Sequence, residues 1–330
     1  MRPDLATGPD LSTGPDLSTK PELSVVIVNW NVRDLLRRCL ESVFVHGNAG
    51  TDHPSPGTEV IVVDNASTDG SVEMIRTEFP QVTILANTAN LGFAGGNNQG
   101  IAAAQGRYVL LLNADTEILS DALSVLVHYM DTHSEVGLVG PQLLYPDGRV
   151  QSSRRRFPTL ATLFLESTWL ESLAPRSLLN RYYVLDQPDA ALLDVDWVVG
   201  AAMLIRRETL QQVGGLDEGF FMYSEELDWC RRIKATGWRV VYQPAARIIH
   251  HVGKSSEQAI PDRHINFQRS KIRYTHKYHG PVTAKTLRLY LLGSYAWQMA
   301  IELAKGLLGH KRALRRQRVA AYWKVLKSRL

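Results

Sequence analysis

Short polar side chains gather at four places in the first third of the chain: Asn29-Trp30-Asn31, Asp64-Asn65, Asn87 to Asn98, and Asn113-Ala114-Asp115. A carboxylate such as Asp64 can accept hydrogen bonds from a nucleobase or a ribose hydroxyl. Asp115 has the chemistry to hold Mg²⁺ or Mn²⁺, which prefer oxygen ligands and usually share themselves with substrate phosphates. A second acidic group, Glu225, Glu226 and Asp228, lies further on, before His250 and His251. An acid of this type can act as general base, taking the proton of an attacking hydroxyl. Plainer readings stand beside these. Asn, Asp and Gly are turn formers, and acids in a helix's first turn favour its dipole. Glu225 and Asp228, three apart, share neighbouring helix faces, whereas Glu226 points elsewhere.

The elements that must position these residues read as a βαβ series. Ser24-Val-Val-Ile-Val and Glu59-Val-Ile-Val-Val are apolar runs of β-branched residues, expected of strands buried on both faces of a parallel sheet. Val82 to Leu85 is a third strand, and Tyr108 to Leu112 is a fourth, buried one. Helices are expected over Asp34–Val45 and Ser71–Phe79, from Gly95 to Gln105, and over Tyr223–Ala235. The fold class is therefore α/β, a mostly parallel sheet flanked by helices. Ligands of such sheets sit at the carboxyl ends of the strands, which is where all four polar clusters fall. The first of these turns, Asn29 to Asp34, contains no glycine, so it is not the G-x-G-x-x-G of a dinucleotide-binding unit. The glycine-rich stretch Gly92-Phe-Ala-Gly-Gly-Asn-Asn-Gln-Gly comes after the third strand instead, where glycines equally permit close helix–strand packing.

Several ordered segments resemble the family 2 glycosyltransferases of the GT-A fold, in particular the bacterial rhamnosyltransferase-like branch. They are Ser24-Val-Val-Ile-Val-Asn-Trp-Asn, Val62-Val-Asp-Asn-Ala-Ser-Thr-Asp-Gly-Ser, Asn90-Leu-Gly-Phe-Ala-Gly-Gly-Asn-Asn-Gln-Gly and Leu112-Asn-Ala-Asp-Thr. Later come Gly200-Ala-Ala-Met-Leu-Ile-Arg-Arg, Gly214-Gly-Leu-Asp-Glu, Ser224-Glu-Glu-Leu-Asp-Trp and His250-His-Val-Gly-Lys-Ser. The resemblance implies a nucleotide site drawn from Asn29, Asn31, Asp64, Asn65, Asn90, Gly92, Asn97 and Asn113. It implies Asp115, the last residue of a DxD-like triplet whose first acid is Asn here, as a metal and diphosphate ligand, with His250 beside it. Glu226 falls where the family places its catalytic base, usually an Asp, so Glu225 and Asp228 stay as further candidates. The implied reaction is inverting transfer of a sugar, by branch resemblance rhamnose from dTDP-rhamnose, to a lipid-linked or cell-envelope glycan, assisted by Mg²⁺ or Mn²⁺. UDP- or GDP-sugars are the alternative donors, and a catalytically inactive binding subunit is the alternative role.

The remaining sequence sets boundaries. Residues 1–21 repeat Pro-Asp-Leu with a period of six and hold too little apolar material for a core, so a disordered leader is expected. A GT-A domain over 22–256 and a helical extension over 257–330 complete the division. The leader offers no apolar run for a secretory signal, and two distant cysteines suit a reducing compartment. Arg154-Arg155-Arg156 reads first as a solvated basic face. Leu287–Leu308 is apolar but interrupted by Arg288, Glu302 and Lys305, and from Lys311 to Arg329 there are eight Lys or Arg and no acid. That pattern suits an interfacial helix and a basic helix on an anionic membrane, with the chain peripheral to the cytoplasmic face; packing on the catalytic domain or a homodimer partner is the other reading. No reader module or interleaved basic and aromatic face argues for nucleic acid.

Overall fold

The computed structural model describes residues 20–46, 57–166, 168–252, 260–309 and 311–330. The leader as far as residue 19, the polar stretch 47–56 and Gly253-Lys254-Ser255 lie outside the described residues.

The four apolar runs form parallel strands β1 (Leu23–Asn29), β2 (Thr58–Asp64), β3 (Thr83–Ala86) and β4 (Tyr108–Asn113), in the spatial order β3-β2-β1-β4. Helices α1 (Arg33–His46), α2 (Ser71–Glu78) and α3 (Gly92–Ala103) link them. Both faces of β1, β2 and β4 are covered, which is why these strands are runs and not alternations, whereas the edge strand β3 is exposed or half-buried throughout. Val25 and Ile27 pack in one apolar core with Leu36 and Leu40 of α1, and Val26 packs in the other with Ala94 of α3. The α3 contact is close: a Cβ on Gly100 would lie 2.2 Å from Val26 Cγ1, and one on Gly96 would lie 2.9 Å from Val28 Cγ1. Most of the glycine-rich stretch is thus packing surface.

Beyond β4 the chain forms β5 (Thr116–Ile118), α4 (Ala122–Thr132), β6 (Val136–Leu144), β7 (Val150–Gln151), β8 (Arg154–Arg155), α5 (Leu160–Leu165), a 3₁₀ turn at Trp169–Leu173 and α6 (Arg176–Tyr182). Then follow β9 (Leu193–Asp194), β10 (Trp197–Val198), β11 (Ala202–Arg206), α7 (Arg207–Val213), α8 (Glu225–Ala235) and β12 (Arg239–His250). The main sheet runs β3-β2-β1-β4-β11-β6-β12-β5, with β11 and β5 reversed, so it is mostly parallel as expected. Arg154 departs from the expected solvated face. It is buried, and its Nη2 satisfies the carbonyls of Val184 and Gln187 and pairs with Asp189 at 2.9 Å. A guanidinium with five donors can hold a loop that makes few backbone bonds of its own.

Two helices close the chain, α9 (Ile260–Leu307) and α10 (Arg312–Lys327). α9 breaks at Gly280, whose φ of 82° and ψ of 168° are not helical, and Pro281 starts its second half. The first half belongs to the catalytic body, since Tyr274 is fully buried in the core that contains Trp229 and Phe220. No helix among the described residues is long and apolar enough to cross a membrane.

Candidate active site

At the carboxyl edge, β1 and β2 are in register, Asn29 beside Asp64. Asn29 Nδ2 donates to Asp64 Oδ1 (2.7 Å) and to Ser67 Oγ (3.0 Å), while the Ser67 amide donates to Asp64 Oδ2 (2.8 Å). Asn31 Oδ1 accepts from the Thr68 amide at 2.7 Å. These bonds lace the first two strand ends together and fix the Asp64 carboxylate. Asn65 extends the lacing, donating to the Gly92 carbonyl (3.0 Å) and accepting from Asn87 (3.1 Å). Asn90 Oδ1 accepts from the Gly92 amide at 2.8 Å, holding the start of α3.

A cavity of about 240 Å³ opens beside this network. Of the residues expected to bind nucleotide, Asn65, Asn90, Gly92 and Asn113 line it. Asn29, Asn31, Asp64 and Asn97 are not in its wall; Asn97 is buried, with Nδ2 on the Phe93 carbonyl. Trp30, Phe93, Tyr223 and Arg263 also line it. Arg263 lies on α9, in a stretch with no motif, so nothing in the sequence pointed to it.

Asn113-Ala114-Asp115 turns the chain from β4 into β5, which runs antiparallel to β12 with Thr116 opposite His250. Thr116 Oγ1 donates to the Asn113 carbonyl (2.7 Å), and the His251 amide donates to the Asp115 carbonyl (2.9 Å). The register thereby delivers Asp115 Oδ1 to 3.4 Å from His250 Nε2. Gln151 Oε1, 2.9 Å from His250 Nδ1, can only accept, so Nδ1 carries a proton. Nε2 then faces both the Asp115 carboxylate and Asn113 Nδ2, the latter at 3.5 Å. Asp115 and His250 could hold a divalent cation between them, with Gln151 orienting the imidazole. His251 is used elsewhere, on Glu117 at 2.7 Å.

The acidic helix supplies the other functional wall. Glu225 and Glu226 both line the cavity, and one oxygen of each, Oε2, is buried without a hydrogen-bond partner. Burial pushes both carboxyls above the ordinary range, and the charge of Glu226 raises Glu225 further. The Gly200 amide works the other way on Glu226. The two carboxyls, side by side and both raised by burial, therefore titrate as a unit. Asp228 stands apart from both glutamates and from the cavity: fully buried, it accepts from Arg232 Nε (2.9 Å), Tyr278 (2.7 Å) and Lys277 (2.7 Å). Its place is in the joint between α8 and α9.

The loop before α8 is strained, with Tyr223 at φ 72° and Ser224 at φ 64°. It is clamped on two sides. The Phe93 amide donates to the Phe221 carbonyl (2.8 Å), and Ser270 of α9 donates to the Met222 carbonyl (2.7 Å). Left-handed non-glycine residues persist only where surroundings over-determine them, and they cluster at functional sites.

A mostly parallel sheet in which β5, β7, β9 and β11 are reversed, its acids converging on the carboxyl edge, is the architecture of the GT-A glycosyltransferases. The fold is shared with the mannosyltransferase PcManGT from Pyrobaculum calidifontis, solved with GDP-Man and Mn²⁺, at a TM-score of 0.53 and 19% identity over 96% of this chain and 88% of that one. The chain belongs to glycosyl transferase family 2, whose family model matches residues 24–229. It is similar to the N-acetylglucosaminyl-diphospho-decaprenol L-rhamnosyltransferase of Mycobacterium tuberculosis, 29% identical over 277 residues, 76% of this chain and 88% of the relative. It is also similar to rhamnosyltransferase WbbL of Escherichia coli K12, 27% identical over 237 residues, 69% of this chain and 82% of the relative.

Proposed function

We propose that this glycosyltransferase inverts the donor's anomeric configuration as it transfers rhamnose from dTDP-rhamnose to a lipid-linked cell-envelope glycan, with Mg²⁺ or Mn²⁺ between Asp115 and His250. The observation that carries the chemistry is one cavity holding two buried, unpartnered carboxylate oxygens together with the Asp115–His250 pair. The names of the two similar rhamnosyltransferases support the sugar, and that of the mycobacterial one supports a polyprenyl-diphosphate acceptor.

In this reading Glu226 is the base, and Glu225, buried and raised further by its neighbour's charge, stands beside it. Glu226 takes the proton of the acceptor hydroxyl as that oxygen bonds to C1 of the sugar and the C1–O bond to the diphosphate breaks. Attack from the face opposite the diphosphate inverts the anomeric centre. A bound divalent ion would neutralise charge growing on the departing nucleoside diphosphate. The Asn65–Asn90–Gly92 wall holds the nucleotide, and the fixed Asp64 network keeps that wall in place.

The test is a panel of dTDP-, UDP- and GDP-sugars with Mn²⁺ or Mg²⁺, read first as thermal stabilisation and then as transfer to a polyprenyl-diphosphate N-acetylglucosamine. Selective metal-dependent stabilisation by dTDP-rhamnose, with product of inverted configuration, is expected. Transfer from another nucleotide sugar alone would replace the donor. Unchanged turnover in both Asp115→Asn and Glu226→Gln would remove the mechanism.

A further inference from the structure

The second half of α9 carries an apolar face that is exposed along its length. Val282, Leu289, Gly293, Ala296, Ala300 and Leu307 are all exposed and follow one another at intervals of seven, four, three, four and seven residues, a single stripe on a helix. Trp297 and Leu303 flank it at 56% and 48% exposure, and Leu307 is 85% exposed. The opposite face is filled: Leu287, Leu291 and Tyr295 are buried, and Tyr290 packs on Phe164. The one acid within this half of the helix, Glu302, is turned inward and paired with Arg315 at 2.6 Å, so the exposed stripe carries no negative charge.

The neighbouring helix supplies the opposite character. On α10, Arg312, Arg316, Trp323 and Lys327 are exposed at intervals of four, seven and four, again one face. The surrounding run from Lys311 to Arg329 has eight cations and no acid. Pro281 to Leu307 spans roughly 40 Å as a helix, yet it is not apolar enough to cross a bilayer. A second copy on this surface would set two such basic helices near each other. An anionic surface would not, and exposed Trp beside Arg and Lys suits the head-group boundary.

We propose that α9 beyond Gly280 and the outer face of α10 form a docking surface for an anionic lipid bilayer, with the α9 stripe seated among acyl chains and the α10 cations on head groups. The Gly280 break separates this platform from the first half of α9, which reaches the catalytic cavity through Arg263.

The test is flotation of the full chain with phosphatidylglycerol vesicles and, separately, phosphatidylcholine vesicles, with tryptophan emission recorded. No donor or acceptor is present, so the outcome is independent of the glycosyl-transfer reading. Expected are salt-sensitive binding to phosphatidylglycerol, a blue shift in emission, and at least about tenfold weaker binding in Arg312→Gln/Arg316→Gln/Lys327→Gln and in Leu289→Ser/Leu307→Ser. Melting temperature controls for folding in each variant, and the charge variant keeps the test alive if the apolar one misfolds. Absence of binding by folded wild-type protein overturns the proposal, as does binding that the charge variant leaves unchanged. A dimer in solution that Leu289→Ser/Leu307→Ser dissociates would assign the stripe to a second copy and overturn it too.

Discussion

At the scale of single residues, Glu225 and Glu226 set function against stability. A carboxyl whose folded pKa is raised favours folding most where it is protonated in both states, below the ordinary carboxylate value. That contribution is lost as pH rises through the raised value, because the unfolded chain has already released its proton. Burial raises both groups here, so stability should fall as pH rises out of the ordinary carboxylate range. Glu225→Gln should therefore melt higher than wild type at pH 8, by on the order of 1 kcal/mol in stability, with the gain vanishing near pH 4. Equal gains at both pH values would deny the raised pair. Glu226→Gln should lower kcat by roughly 10²–10⁴, checked by transfer kinetics, while leaving donor-induced stabilisation intact. Across the cavity, Gln151 orients His250. Gln151→Ala should weaken activation by Mn²⁺ by about 10–100-fold, measured as the metal dependence of turnover. Asp115, Glu226 and His250 were legible because each sits in a recognisable motif. Gln151 and Arg263 were not, since strand pairing and the α9 fold-back, far apart in sequence, bring them to the site.

Elements were read well where local pattern and burial agree. The β-branched runs of β1, β2 and β4 appear at or within a residue of their expected bounds, because a strand covered on both faces needs no alternation. In β12 only Ala246-Arg-Ile-Ile reads as a strand-like run in the sequence. The first half of β12 passes through Pro244, which removes a ladder donor, and the register shifts between Gln243 and Arg247. The glycine stretch admitted both loop and packing roles from sequence, and the structure separates them. Gly92, with φ +76°, would place a Cβ 2.3 Å from the Phe221 carbonyl, so it allows two cavity-lining loops to meet. Gly100 only seats α3 on Val26. Gly100→Ala should cost about 1–3 kcal/mol by overpacking, read in a denaturant titration, with residual activity scaling with the folded fraction. Gly92→Ala should lose activity even where the protein remains folded, since the φ and the contact both fall in the cavity wall. Equal behaviour of the two variants would mean that Gly92 has no special part in the site.

For the whole molecule, the question is where the catalytic unit ends. Composition and motif density put the division at 256, because everything after the last motif lacks a recognisable signature. Packing ties the first half of α9 to the catalytic body. Tyr274 lies in the core, Ser270 holds the strained loop before α8, and Lys277 and Tyr278 satisfy the buried Asp228. Removing them would leave a carboxylate that is 0% exposed with Arg232 as its one remaining charged partner, and losing a partner of a buried charge costs about 3–5 kcal/mol. A cavity where Tyr274 stood would add about as much. Together these approach the whole stability of a typical domain. Beyond Gly280 the contacts are a small cluster joining Ile265 to Tyr295 and Val325, the buried Leu287 and Leu291, and Tyr290 against Phe164. A chain ending at residue 256 should therefore be insoluble or unfolded, whereas one ending at 280 should melt cooperatively and retain donor binding. Circular dichroism melts of the two truncations decide it. A folded, donor-binding 1–256 chain would return the boundary to the last motif and leave the first half of α9 as an appendage.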